Sequence, residues 1–221
     1  MAIFFPGSNF KLSKTGRNFN LFFIIAAIVI ITALAVTLFI WKPVSGIPGR
    51  GVWNGRTYAN RETGISLVVP GDWQIKSDAD IIESFNYSPD IYKDLGRYSD
   101  YVDAFISKTD DSKLYIRFYD VVASSATALD QAQLSARQLK SPVNFGAIRL
   151  KAIPEDITAV EIGGLTYERF AYTLAGIDNA RFIEYYRCLE GDTGEIFVQL
   201  NLTIFDETTE GEFLALFKEM Q

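Results

Sequence analysis

The chain of 221 residues contains no histidine and a single cysteine. Without histidine, Ser-His-Asp and Cys-His catalysis are excluded, together with the common His-ligated metal sites. One cysteine, Cys188, allows neither an intramolecular disulfide nor a thiolate zinc cage. Set among strand-forming residues, it reads as a small buried apolar side chain rather than a catalytic thiol. Acid is missing locally as well: no Asp or Glu occurs in the first 42 residues, whereas the remaining 179 carry 17 basic and 27 acidic side chains. An acidic folded part lacks the clustered Lys and Arg that phosphate neutralisation requires, which argues against nucleic-acid binding. Acid/base chemistry by Asp, Glu, Lys or Tyr survives these exclusions, as does oxygen-only ligation of calcium or magnesium.

What is present begins with a long apolar run. Leu21 to Trp41, LFFIIAAIVIITALAVTLFIW, is 21 residues without a charge and with Thr32 and Thr37 as its polar interruptions. At about 1.5 Å per residue such a helix spans the roughly 30 Å hydrocarbon core, with Trp41 and Lys42 at headgroup level. A cleaved signal peptide has an apolar region of about 7 to 15 residues and a small-x-small site. Here the run is longer, its exit offers only Val44-Ser45-Gly46, and no lipobox cysteine follows. The sequence therefore reads as an uncleaved signal anchor. Residues 1–20, with Lys11, Lys14 and Arg17, form a short cytoplasmic tail, and residues 21–41 a single transmembrane helix whose partner is the lipid bilayer. Residues 42–55, KPVSGIPGRGVWNG, are a linker, and residues 56–221 an extracytoplasmic domain. Gly49-Arg50-Gly51 is not a phosphate loop, because Asn54 stands where a third glycine belongs and no strand precedes it.

Beyond the linker, periodicity sets out one domain. Ile65, Leu67 and Val69 alternate before Pro70-Gly71-Asp72 breaks the strand, and Trp73 and Ile75 re-enter the core. Ser77 and Asp80 form a capping box ahead of Ile81, Ile82 and Phe85 on one helix face. YVDAFIS, with Val102, Ala104 and Ile106 inward, and KLYIRFYDVV, with Leu114, Ile116 and Phe118 inward, make a hairpin across TDDS. A helix from about Thr127 to Lys140, capped by Thr127 and Asp130, carries the stripe Leu129, Ala132, Ala136 and Leu139 and stops at Ser141-Pro142. A meander follows: ITAVEI, LTYERFAYTL after Gly163-Gly164, ARFIEYYRCLE after a Gly176 to Asn179 turn, and EIFVQLNLTIF after GDTG. In its last strand Ile196, Val198, Leu200, Leu202 and Ile204 repeat at period two. A closing helix from about Thr209 to Met220, with Thr209 and Glu212 placed to cap its start, would bury Phe213, Leu216, Phe217 and Met220. The predicted class is α+β, an antiparallel sheet covered by helices.

The opening pattern of Tyr58, Asn60, Gly64, a hydrophobic strand, then Pro70, Gly71 and Trp73 resembles that of the PsbP-like α/β/α domains of membrane-anchored or lipoprotein envelope proteins in Gram-positive bacteria. VEIGGLTYERFAYTL and the final strand-helix pair extend the resemblance over most of residues 53 to 221. It implies a PsbP-like sandwich but no catalytic set, since the family has no agreed one. The chain departs from the lipoprotein members in having an apolar anchor where they have a lipidated cysteine.

Candidate sites are few. Asp78, Asp80 and Glu83, then Asp110 and Asp111, then Glu190, Asp192 and Glu195 are carboxylate clusters without calcium-loop spacing, and read as helix-terminal or turn acids. Ser8 to Lys11 spells a serine-lysine motif with no domain around it, and Ser124 and Ser125 precede a helix that one of them can cap. Asn201-Leu202-Thr203 is a glycosylation triplet inside a strand rather than a surface loop. Tyr87, Tyr92, Tyr98 and Tyr101 lie in a segment of no firm period, where tyrosines either form a recognition surface or cover the sheet edge. They are the candidate ligand-binding residues. No metal ligand set, catalytic set or cofactor is implied. The expected function is a membrane-anchored, non-catalytic binding or accessory domain for a protein or envelope ligand. The alternatives are an envelope hydrolase using carboxylates or lysine, and a structural subunit of a membrane complex.

Overall fold

The structure, a computed structural model, describes residues 46–121, 125–145, 148–190, 193–205 and 208–220. The tail 1–20, the apolar run 21–41, linker residues 42–45, Ser124 and Asp192 lie outside the described residues. Among those described, no helix is long and apolar enough to cross a membrane.

Two antiparallel sheets form the body. The small one comprises β1 (Val52–Asn54), β2 (Thr57–Asn60), β3 (Ile65–Val68) and β16 (Phe217–Lys218), in that order. The large one is ordered β10 (Ala152–Pro154), β12 (Leu165–Leu174), β13 (Ile177–Cys188), β15 (Ile196–Phe205), β6 (Lys113–Asp120), β5 (Asp100–Ser107) and β4 (Gln74–Ile75). A further strand, β11 (Thr158–Ile162), also pairs with β12. Two short pairs complete the list: β7 (Ala126–Thr127) with β14 (Thr193–Gly194), and β8 (Val143–Phe145) with β9 (Ile148–Leu150). The Gly163-Gly164 turn joins β11 to β12 with both residues at positive φ, 58° and 77°, the twist that a two-residue hairpin requires. The structure is thus mostly antiparallel sheet with few helices.

The three helices among the described residues, α1 (Asp78–Phe85), α2 (Ala128–Gln138) and α3 (Glu210–Leu214), all start with the capping boxes read from sequence. One face of the large sheet packs on the small sheet: Tyr58, Ile65, Leu67 and Trp73 meet Tyr101, Ile106, Leu114, Ile116, Phe118, Tyr185, Val198 and Leu200 in the main core. The opposite face, here called outer, is covered at β5 by α1 through Ile81, Val102 and Phe105, and at β12–β13 by α2 through Ala132, Phe170 and Tyr186. The sequence placed helices over the sheet; in the structure a second sheet covers one side and helices the other. Cys188 is buried against Ala126 and Phe197.

Five expectations are corrected. Val102 does not share a face with Ala104 and Ile106, because the β5–β6 register shifts between Val102 and Ala104; Asp103 is the extra residue of a bulge, and Val102 turns to the outer face. The closing helix is short. After Leu214 the chain extends as β16, pairing Phe217 with Leu67 and giving the Leu216 carbonyl to the Val68 N–H at 2.9 Å, so the edge of β3 gains a partner. Met220 is accordingly 37% exposed rather than buried. Leu129, counted in the helix stripe, is 41% exposed.

The last correction concerns the linker, whose described part belongs to the fold. The bulge sends the Asp103 carboxylate under the small sheet, where its side chain has no exposed surface. It accepts from the Gly51 N–H at 2.9 Å, from Asn60 Nδ2 at 3.2 Å, from Arg50 Nε at 3.3 Å and from the Tyr58 hydroxyl. Arg50 also lies 4.0 Å above the Tyr92 ring. A side chain at position 51 would run into the Tyr58 ring, which is why glycine stands there. Asp103→Ala leaves Arg50 and the Gly51 N–H facing a hole. The expected outcome is a loss of about 3–5 kcal/mol in a chemical-denaturation measurement. An unchanged midpoint would show that the clamp contributes nothing.

Candidate functional site

Between α1 and α2 the outer face of the large sheet is lined by polar and aromatic side chains. Because β15 alternates, Val198, Leu200 and Leu202 enter the main core while Phe197, Gln199 and Asn201 turn outward. Pairing then fixes two adjacent rows across the sheet. One runs Glu168, Tyr186, Gln199, Arg117, Val102, and the next Phe170, Glu184, Asn201, Tyr115, Phe105.

A continuous line of hydrogen bonds crosses these rows. Arg117 donates two parallel bonds to Asp100, Nε at 2.7 Å and Nη2 at 2.5 Å, and its Nη1 donates to Gln199 Oε1 at 3.2 Å. Gln199 Nε2 donates to the Tyr186 hydroxyl at 2.9 Å, and that hydroxyl donates to Glu184. Ser135 of α2 joins at 2.5 Å. The bonds to Asp100 hold the Arg117 guanidinium well above its ordinary range. Burial raises Glu184, an effect that its bonds to Tyr186 and Ser135 partly offset. Beside this line, Phe85, Tyr87, Asp100, Tyr115 and Arg117 enclose a cleft of about 300 Å³. Burial pushes the phenols of Tyr87 and Tyr115 up to about 12, so both remain neutral donors. Asn201, opposite Tyr115 in the register, is 9% exposed, and its buried Nδ2 has no protein partner.

The four tyrosines read from sequence are dispersed. Tyr87 lines the cleft and stacks on Phe85 with ring centroids 5.8 Å apart. Tyr92 donates to the Val102 carbonyl at 2.7 Å and lies under Arg50. Tyr98 packs on the main core, and Tyr101, 0% exposed, donates to the Pro48 carbonyl at 2.6 Å. Their separation follows from the short 3₁₀ turns at Ile91–Lys93 and Leu95–Arg97, which rotate successive side chains in different directions. Asp100, Tyr115, Arg117, Glu184 and Gln199 were not singled out in the sequence, and Asn201 was noted only as the first residue of a glycosylation triplet. The available signal was the alternation of polar or aromatic residues with Leu114, Ile116 and Phe118 on β6 and with Val198, Leu200 and Leu202 on β15.

The carboxylate clusters have structural partners. Asp80 caps α1, Asp78 pairs with Arg50 at 2.7 Å, Asp110 accepts from the Ser112 N–H at 2.9 Å, and Glu190 accepts from the Glu195 N–H at 2.8 Å. Among the described residues no group of His, Cys, Asp and Glu is placed to hold a metal ion.

Neither a family model nor a curated protein matches the chain. Among solved structures it is similar to the cyanobacterial PsbP protein (CyanoP) of Synechocystis, at 13% identity and a TM-score of 0.46 over 77% of this chain and 98% of that one. It is also similar to LpqN of Mycobacterium tuberculosis, described as involved in cell envelope biogenesis, at 14% identity and a TM-score of 0.37 over 78% and 84% of the two chains. A Bacteroides thetaiotaomicron protein overlaps 76% of this chain and 50% of its own at 12% identity and a TM-score of 0.31. Superpositions at these scores are partial and say nothing of what this chain binds.

The network has a pH signature. Because burial raises Glu184, the fold binds its proton more tightly than the unfolded chain does. The stabilising contribution is complete below the ordinary value of 4.5 and is lost as pH rises through the raised folded value. Glu184→Gln stays neutral, so it should gain stability over the native protein as pH rises above that point and show no such gain below it. Denaturation midpoints of the two proteins across the pH range measure this. A difference that does not change with pH would mean that Glu184 keeps its ordinary titration.

Proposed function

We propose that the chain is a membrane-tethered, extracytoplasmic accessory domain of PsbP-like type that binds a ligand or partner on the outer face of its large sheet without transforming it. The observation that carries this reading is the cleft set against a line of polar groups already fixed to one another. Asp100, Arg117, Gln199, Tyr186 and Glu184 hold a single arrangement, and preorganised donors beside apolar rings are what a binding cleft needs. The tether rests on the uncharged run at 21–41, and the outward placement on the basic residues Lys11, Lys14 and Arg17 preceding it.

A carboxylate hydrolase fits this face less well. Asp100 on β5 and Glu184 on β13 are three strand spacings apart, about 14 Å at ~4.8 Å each. Paired glycosidase acids are about 5–9.5 Å apart. Arg117, Gln199 and Tyr186 also stand between the two. A subunit role has one observation in its favour, a groove of about 650 Å³ lined by Leu129, Ala136, Leu139 and Ile157 among others, with Leu134 and Ile153 exposed on the elements that form it.

A photoreactive residue placed at 87 or at 134 in the full-length protein, irradiated in intact membranes, separates these readings. An adduct at 87 supports binding on the outer face, and one at 134 alone supports the subunit role. No adduct at either position overturns both. A carboxyl-terminal tag should be cleaved by protease added to intact cells; protection until lysis would reverse the topology.

A further inference from the structure

The geometry points to a single-chain amphiphile with an anionic head, of the fatty-acid class, as the occupant of the groove beside α2 and β10. Its alkyl chain lies along α2 and its head meets Arg137, Lys140 and Lys151. The site is separate from the cleft at Tyr87 and does not depend on it.

Shape comes first. The groove measures about 650 Å³, in the middle of the range of roughly 300–1,000 Å³ for small-molecule sites. Its apolar lining includes Leu129, Ala136, Leu139, Ala152 and Ile157. Leu129 and Leu139 stand ten positions apart on α2 and its cap, about 15 Å along the axis at ~1.5 Å per residue. An alkyl chain fits such a strip along its length, and each CH2 that it buries adds to affinity.

Charge comes second. Cations come from two elements, Arg137 and Lys140 from α2 and the turn after it, and Lys151 from the residue before β10. Among the described residues none of the three is in an ion pair, and Arg137 donates to the Gln133 amide oxygen at 3.2 Å. Two acids also line the groove. Glu155 is taken by Arg181 at 2.7 Å and Arg169 at 3.3 Å, which leaves Asp156 against three cations. The helix dipole accounts for basic residues at the end of α2 but not for Lys151, which belongs to another element. An apolar lining beside this surplus of cations is complementary to an acid carried on a hydrocarbon chain.

A peptide is a poorer match. The Ala175 N–H donates to the Lys151 carbonyl at 2.9 Å and the Glu155 N–H to the Ala171 carbonyl at 2.8 Å. Residues 151, 153 and 155 therefore turn their main-chain groups to β12, and residues 152 and 154 turn theirs away from it. Position 154 is proline and has no N–H to give, so an added strand meets a broken ladder. Protein interfaces are rich in aromatic residues and Met and poor in Ala and Lys. Among the described residues the groove's lining has no aromatic or Met, and it contains Ala136, Ala152, Lys140 and Lys151. A hydrocarbon chain needs neither a main-chain partner nor an aromatic anchor.

The test uses the full-length protein in phosphatidylcholine nanodiscs with a diazirine-bearing dodecanoate as photoprobe, the adduct being mapped by peptide mass spectrometry. The expected result is saturable labelling between Leu129 and Ile157, displaced by dodecanoate but not by dodecanol or dodecyltrimethylammonium. Lys140→Glu combined with Lys151→Glu should raise the half-saturating concentration roughly tenfold or more. Both side chains are exposed, so Tm should not change. Should the reversal lower Tm, Lys140→Gln with Lys151→Gln carries the same direction of effect. Labelling that rises without saturation, as partition into the bilayer gives, would overturn the assignment. Equal displacement by all three amphiphiles, or an unaltered half-saturation in the double variants, would do the same. If a photoreactive residue at 134 captures a protein in membranes and dodecanoate fails to compete, the groove belongs to that protein and the assignment falls.

Discussion

A polar side chain on the outer face of β15 has little access to water, because the strand is central in its sheet and its neighbours are covered by α1 on one side and α2 on the other. Desolvation there makes every unmet hydrogen bond costly, about 1–3 kcal/mol for a neutral group and more for a charged one. Gln199, at 6% exposure, answers the constraint by using both ends of its amide, accepting from Arg117 and donating to Tyr186. Arg117 is then oriented by Asp100, and Tyr186 by Glu184. Asn201, one row away, leaves its buried Nδ2 without a protein partner.

The opposite side of the sheet shows the same physics applied to fastening. Glu210, at the start of α3, receives Arg169 at 2.7 and 2.9 Å and the Tyr185 hydroxyl, while Glu155 joins Arg169 to Arg181. Burial by itself would raise Glu210, but Arg169 and Tyr185 outweigh it and hold the carboxyl below its ordinary value. Bonds from Arg181 lower Glu155. These acids stabilise the fold above their ordinary range and lose that contribution as pH falls, the reverse of Glu184. Fully paired, they tie a five-residue helix to β12 and β13 and leave no group for a ligand.

Asp103 governs how the two sheets meet. A bulge residue is free to point where regular alternation forbids, and here it carries a carboxylate into the seam between the sheets. Residues 49–51, of linker composition, become part of the core through it, and Pro48 through Tyr101. The small sheet, through Tyr58 and Asn60, and the segment at Arg50 and Gly51 therefore share the Asp103 carboxylate as a common anchor on the large sheet.

Local rules written into the sequence determined the three capping boxes, the β5–β6 hairpin, the Gly163-Gly164 turn and the alternation of β15, because each depends on residues within a few positions of one another. Histidine and cysteine content likewise removed whole classes of chemistry without reference to a fold. Tertiary structure decided the rest. The extension of the chain after Leu214 depends on the open edge of β3, some 150 residues earlier in sequence. The cleft depends on β15 lying between β6 and β13, a placement that juxtaposes Arg117, Gln199 and Tyr186 from three strands distant along the chain. Period-two patterning reports which face a residue occupies but not which strand lies beside it. Four tyrosines close in sequence are consequently set apart by the fold, whereas polar residues distant in sequence are brought together by register.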